Sequence, residues 1–303
     1  VRKLLALFFA WTAASLVPAQ TTNDMATLSD LSGTQVLVLR TGQVYEGRAA
    51  GVKEGSLTFI RTHAGGQAEY TFTSDEVERI DFPGGESKLA AEELLATGRT
   101  AEALPILEAL YRQRGAYLGF LSEKDRAYFI TLVETAREAG DPYLSVGVAK
   151  ALLEYTSAPE VRNRLDDLVL LGHYNLPLKD DTRALAETWT TARPLYGDSA
   201  LGWYILARLD YDAGEYESAL TRALTPVTFS SQYPMAYLSH CYAVAILSAQ
   251  ALGEEAEARA LAGEMLARHL GWPQDEGLAK LEPVYRELSA PAVPKDRETD
   301  SKR

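Results

Sequence analysis

A glycine followed five residues later by a small residue recurs along this chain, and that spacing constrains the fold more than any other feature. Gly98 precedes Ala103, Gly140 precedes Ser145, Gly214 precedes Ala219 and Gly253 precedes Ala258. Lys179 and Ala184 fall in the same register, so the turn positions 98, 140, 179, 214 and 253 are separated by 42, 39, 35 and 39 residues. Glycine ends helices in the left-handed conformation, and antiparallel helices approach closely where side chains are small. Apolar residues follow helical spacing from Lys88 to about Leu288, which predicts about five helix–turn–helix units over 88–288. Pro159, Pro234 and Pro273 come 19, 20 and 20 residues after their turns, where a second helix should have ended. Pro105 and Pro226 fall inside expected second helices and predict a kink and an early stop.

Seven residues before each turn stand Ala91, Val133, Gly172, Ala207 and Ile246. The fourth unit is the fullest, with Trp203, Leu206, Ala207, Gly214, Tyr216 and Ala219. On these residues the region resembles the tetratricopeptide repeats, whose unit is about 34 residues. The resemblance implies a mainly α fold, a solenoid of helix pairs. Ala103, Ser145, Gly172, Ala184, Trp203, Ala207, Gly214, Ala219 and Ala258 would then carry the packing between helices. It also implies a concave face, lined by the first helix of each unit, that holds a partner segment. Carried over, the inward positions are Leu201, Tyr204, Arg208 and Tyr211 in the fourth unit, and Asp166, Val169, His173 and Leu176 in the third. The second unit gives Ile130, Glu134 and Arg137, and the fifth His240, Leu247 and Gln250. Tyrosines flanking an arginine suit a binding hot spot, with Tyr204, Arg208, Tyr211, His173, Glu134 and Arg137 as the candidate partner-binding residues. The competing role for Tyr204 and Tyr211 is packing against the next unit.

Between Thr34 and Phe82 the period changes to that of strands. TQVLVLR, TGQVYEGRAAGV, EGSLTFIRT, GGQAEYTFT and EVERIDF are punctuated by Gly42, Gly55 and Gly65-Gly66. Five short strands predict a small, strongly bent all-β barrel over 34–82. VLVLRTGQVYEG followed by SLTFIR and VERIDF resembles the Sm-like and SH3-like small barrels. Sm-like proteins bind RNA from the loop after the second strand, but here that loop is KEGS, and the segment carries five basic against seven acidic residues. RNA binding is disfavoured, and a structural or self-associating barrel is expected. PGGES at 83–87 reads as a linker, as do residues 20–33. The stretch 289–303, Pro-rich and then charged, reads as a disordered tail.

The first residues, VRKLLALFFAWTAASLVPAQ, have the charged start, apolar run and small-residue cleavage site of a signal peptide over 1–19. An uncleaved anchor is the alternative. Val1 fits a non-standard start codon and so a bacterial source. Export to the periplasm or the cell exterior is the expectation. The single Cys241 forms no internal disulfide and sits among apolar residues, which suits a buried structural thiol. A net charge of −12 disfavours nucleic acid as a partner.

LDYDAGEYESAL at 209–220 invites a calcium-loop reading through Asp210 and Asp212. Gly214 occupies the third ligand place and Thr221 the twelfth, so a turn between helices is the better reading. GDSALG at 197–202 is one residue too long for a nucleophile elbow, and there is no HExxH, phosphate loop or SxxK. No His pair stands at metal-ligand spacing. The sequence thus predicts no catalytic residue, metal or cofactor. It describes an exported, non-enzymatic adaptor for an envelope protein or peptide. The alternative is a glycan- or ligand-binding module that would use Trp189, Trp203 or Trp272, and an enzyme of unknown class stands third.

Overall fold

The computed structural model describes residues 28–63, 66–193, 198–229 and 235–289. The expected signal peptide and the tail beyond Ser289 lie outside these residues. Two compact units divide between Thr135 and Ala136.

The first unit contains five antiparallel strands: β1 (Gln35–Leu39), β2 (Val44–Lys53), β3 (Ser56–His63), β4 (Gly66–Thr73) and β5 (Val77–Asp81). Their order is β4-β3-β2-β1-β5. Leu37, Leu57, Phe59 and Ile80 are fully buried on one face. Lys53–Ser56 is a two-residue hairpin, with Glu54 and Gly55 both at positive φ, 51° and 77°, the twist that matches the flanking strands. Gly47 is required by contact, because a Cβ there would lie 2.2 Å from the Ile60 carbonyl oxygen.

The expected closed barrel is not formed. β5 is only five residues long and pairs with β1 from Val36 to Leu39. β4 ends where the Glu76 carboxylate takes the Thr73 amide (2.8 Å) and hydroxyl (3.0 Å). The chain turns there to β5, and β4 pairs only with β3 among the described residues. The sheet is open.

Residues 85–87 open α1 (Gly85–Ala96), and residues 29–31 form a 3-10 turn. The Asp30 carboxylate accepts from the Glu86 and Ser87 amides (2.8 and 3.2 Å) and from the Ser87 hydroxyl. One side chain thereby caps a helix 56 residues away, where the N-terminal amides need an acceptor. α2 (Thr100–Arg114) adds the buried Arg114, whose Nη2 donates to the Pro83 carbonyl at 2.7 Å.

The remaining helices are α3 (Glu123–Glu138), α4 (Pro142–Leu153), α5 (Pro159–Tyr174), α6 (Lys179–Ala192), α7 (Leu201–Asp212), α8 (Tyr216–Phe229), α9 (Leu238–Ala251) and α10 (Glu255–Ala267). The short α11 (Glu276–Ala279) and α12 (Glu282–Ser289) follow. The chain is mainly helical. Gly98, Gly140, Gly214 and Gly253 all stand at φ between 74° and 82°, each between the two helices of a pair. In each case the next residue's amide donates five residues back: Arg99 to Leu94, Asp141 to Ala136, Glu215 to Asp210 and Glu254 to Ala249, at 2.8–2.9 Å. The residues five beyond the glycines, Ala103, Ser145, Ala219 and Ala258, are fully buried. This is one helix cap repeated four times.

The third pair departs from the expected register. α5 ends at Tyr174, and the Leu176 amide donates to His173 as a turn glycine would. Pro177 follows and has no amide to complete the cap. α6 then starts one residue late, so Thr182 and Ala186 are buried while the expected Ala184 is exposed. Lys179 opens the helix and is not the turn residue. Gly172 is buried, and a Cβ there would lie 2.5 Å from Val146 of α4. Trp203 is half-buried and Ala207 fully buried. Pro105 and Pro226 both lie inside continuous helices, and α8 runs on to Phe229, so the early stop does not occur.

Two glycine substitutions separate turn from helix. Gly214→Ala places a Cβ in the left-handed region and should cost about 1–2 kcal/mol. Gly263→Ala, in the exposed interior of α10 with open space around it, should stabilise by about 0.5–1 kcal/mol. Urea unfolding of the two variants checks both signs.

Candidate functional site

The second unit carries one cavity in which the expected inward positions converge. It has a volume of about 300 Å³ and is lined by Arg137 from α3, Leu171, Tyr174 and Asn175 from the end of α5, Tyr204 and Arg208 from α7, and Tyr237 before α9. Asp275, Gly277 and Leu278, around the start of α11, complete the lining. The starts of α7 and α9 are tied by backbone bonds of 2.8 Å, Ala200 amide to Ala236 carbonyl and Ala236 amide to Asp198 carbonyl. That tie holds Tyr204 and Tyr237 with their rings stacked at 6.1 Å.

Asp275 organises the wall. Its Oδ2 accepts from the Tyr204 hydroxyl at 3.2 Å and lies 3.0 Å from Nε2 of His240. The His240 hydrogen bond holds the Asp275 carboxyl below its usual range despite partial desolvation, with the Arg137 charge adding to the effect. Burial pushes the Tyr204, Tyr174 and Tyr237 phenols up, so all three remain neutral donors at ordinary pH. Trp272 is buried and donates to the Leu278 carbonyl at 2.7 Å, which fixes the turn over the cavity. Arg208 is half-buried, and burial alone would depress it, but the nearby Asp212 carboxylate at 3.1 Å holds its pKa above the usual value. Nη1 of Arg208 and Nε of Arg137 are buried with no acceptor among the described residues.

Of the candidate partner-binding residues, Arg137, Tyr204 and Arg208 line this cavity. Tyr204 is only 4% exposed, with its ring against those of Tyr237 and His240. Tyr211 is half-buried, 5.4 Å from the Tyr216 ring with the Arg208 guanidinium 5.6 Å over its face. His173 is half-buried, with neither ring nitrogen bonded among the described residues, and burial depresses its pKa, with Lys150 adding to the effect. Glu134 is half-buried on α3, in the first unit. Tyr174, Asn175, Tyr237 and Asp275 were missed by the repeat register, because they sit at helix ends or beyond the last pair. The WPQDEG run at 272–277, polar after a buried tryptophan, was the available signal.

The other motifs resolve structurally. Asp210, the first acid of LDYDAGEYESAL, is fully buried and accepts from Arg183 of α6 (2.6 Å), Arg222 (2.8 Å) and Ser218 (2.7 Å) of α8. No group of three metal-ligating side chains occurs among the described residues. Ser199 is buried, with its hydroxyl accepting the Leu201 amide at 3.3 Å. Cys241 is fully buried, and burial pushes its thiol up. Trp189 is buried and bonded to Asp167 at 2.8 Å, so neither it nor Trp272 offers an exposed platform for a sugar. No helix among the described residues is long and apolar enough to cross a membrane.

No protein-family model matches this sequence, and no curated protein matches it. Among solved structures, a crystal structure of MamA protein is similar at 12% identity and a TM-score of 0.41, covering 69% of this chain and 100% of that one. At that level of likeness nothing about function follows.

Two measurements check the electrostatics. Asp210→Ala leaves Arg183 and Arg222, both about a third exposed, without their carboxylate and should cost about 3 kcal/mol. Calcium or a chelator should leave the Tm of the unaltered protein unchanged in calorimetry. Asp275 has a depressed folded pKa, so its contribution is present at neutral pH and lost as pH falls through that value. The stability gap between the unaltered protein and Asp275→Asn should therefore narrow below about pH 4.

Proposed function

We propose that this chain is an exported, non-enzymatic adaptor whose helical unit holds a segment of another protein of the cell envelope. The observation that carries the reading is the convergence of α3, α5, α7 and the start of α9 on one lining. These are the first helices of four successive pairs, and in helix-pair arrays such helices form the inner surface on which partners lie. We put the partner surface one helical turn beyond Arg208 on α7, where the Tyr211 ring lies tilted at 59° to that of Tyr216 with the Arg208 guanidinium 5.6 Å over it. Gln250, half-buried at the end of α9, is the inward position of the next pair. Export rests on the composition of residues 1–19, and the envelope location of the partner follows from it. The open sheet is proposed as a docking or self-association module, with β4 offering an edge that is unpaired among the described residues.

The test is a crosslinked capture from the source cell envelope with the full chain and with a Tyr211→Ala/Gln250→Ala form. A partner held by the first and lost from the second, with the circular dichroism spectrum intact, supports the reading. A partner retained by both removes the inner helices as its site.

A further inference from the structure

The cavity is too small for a chain. At about 300 Å³, and with the Asp275–Leu278 turn forming one wall, it has the size and enclosure of a site for a small molecule. Its chemistry is asymmetric. Two guanidiniums belong to its lining, Arg137 with Glu138 at 3.7 Å and Arg208 with Asp212 at 3.1 Å. The single carboxylate in the lining has its Oδ2 taken by His240 and Tyr204. The opposite character comes from Leu171, Leu278 and the tyrosine rings.

We infer that this cavity binds a small, singly charged carboxylic acid with an apolar body. Its carboxylate lies between Arg137 and Arg208, and its hydrocarbon part lies against Leu171, Leu278 and the rings of Tyr174 and Tyr237. A guanidinium N–H to a carboxylate is a charge-assisted bond, about twice as strong as a neutral one. A cationic ligand is disfavoured by the two arginines. A second negative charge, as on a phosphate dianion, is disfavoured by Asp275. The inference stands apart from the adaptor reading, since the cavity is occupied without any bound partner.

Calorimetric titration of the full chain with 4-methylvalerate, phenylacetate and indole-3-acetate tests it. The neutral 4-methylvaleramide, isoamylamine and inorganic phosphate serve as controls. At least one acid should bind, with each control weaker by about tenfold or more. Arg137→Gln and Arg208→Gln should each weaken that acid by about tenfold. Arg137 is on the more exposed side of the cavity (34% exposed side chain), so its variant keeps the test valid if the Arg208 form does not fold. Three results overturn the inference: no acid binding at about 10 mM, acid and amide binding alike, or affinity unchanged in both arginine variants. Phosphate binding as tightly as the best acid overturns the apolar body. Capture of a partner is read separately in the Tyr211→Ala/Gln250→Ala form, so failure of one reading leaves the other standing.

Discussion

Each helix pair with a glycine turn is set by one hydrogen bond, from the amide after the turn glycine to a carbonyl five residues back. The bond forms only because the glycine takes a positive φ, and it fixes the direction in which the second helix leaves. Five residues on, a fully buried alanine or serine lets that helix lie close against the first. With direction and separation fixed locally, the first helices of successive pairs can share one face. The cavity, with its tyrosines and arginines, follows from that alignment. His269, at φ 56°, repeats the same cap at the end of α10 without a glycine, and the chain then turns towards α11 and its Asp275.

A second constraint works across pairs. Asp210 sits at the end of α7 with its carboxylate held by α6 and α8, while its carbonyl receives the Glu215 amide. One residue thus joins the turn of the fourth pair to the last helix of the third. Desolvating a carboxylate is costly, and Arg183, Arg222 and the Ser218 hydroxyl together offset that cost. The acid that looked like a calcium ligand is a fastening between helices.

Much of this was legible in the sequence. The glycine–small spacing located four turns, and the inward register picked out Arg137, Tyr204, Arg208 and His240, which do come together. Spacing alone assigns the third turn to Lys179, whereas the structure turns at Leu176 and opens α6 at Lys179. Pro177, which forbids the closing hydrogen bond, was the residue to weigh. Strand count suggested a barrel, yet closure depends on pairing between β4 and β5, and side-chain patterning carries no record of that. Asp30 as a cap for α1, and Asp275 as the centre of the cavity wall, act across long sequence separations, so no local pattern announces them.

Amide hydrogen exchange at Asp141, Glu215 and Glu254 tests the central claim most directly, that a repeated closing bond builds the array. These amides follow glycines in turns, where exchange would ordinarily be fast. The expected result is protection close to that of the helix cores, lost only with global unfolding. Exchange at the rate of exposed loop amides would contradict it, and the alignment of the inner helices would then need another cause.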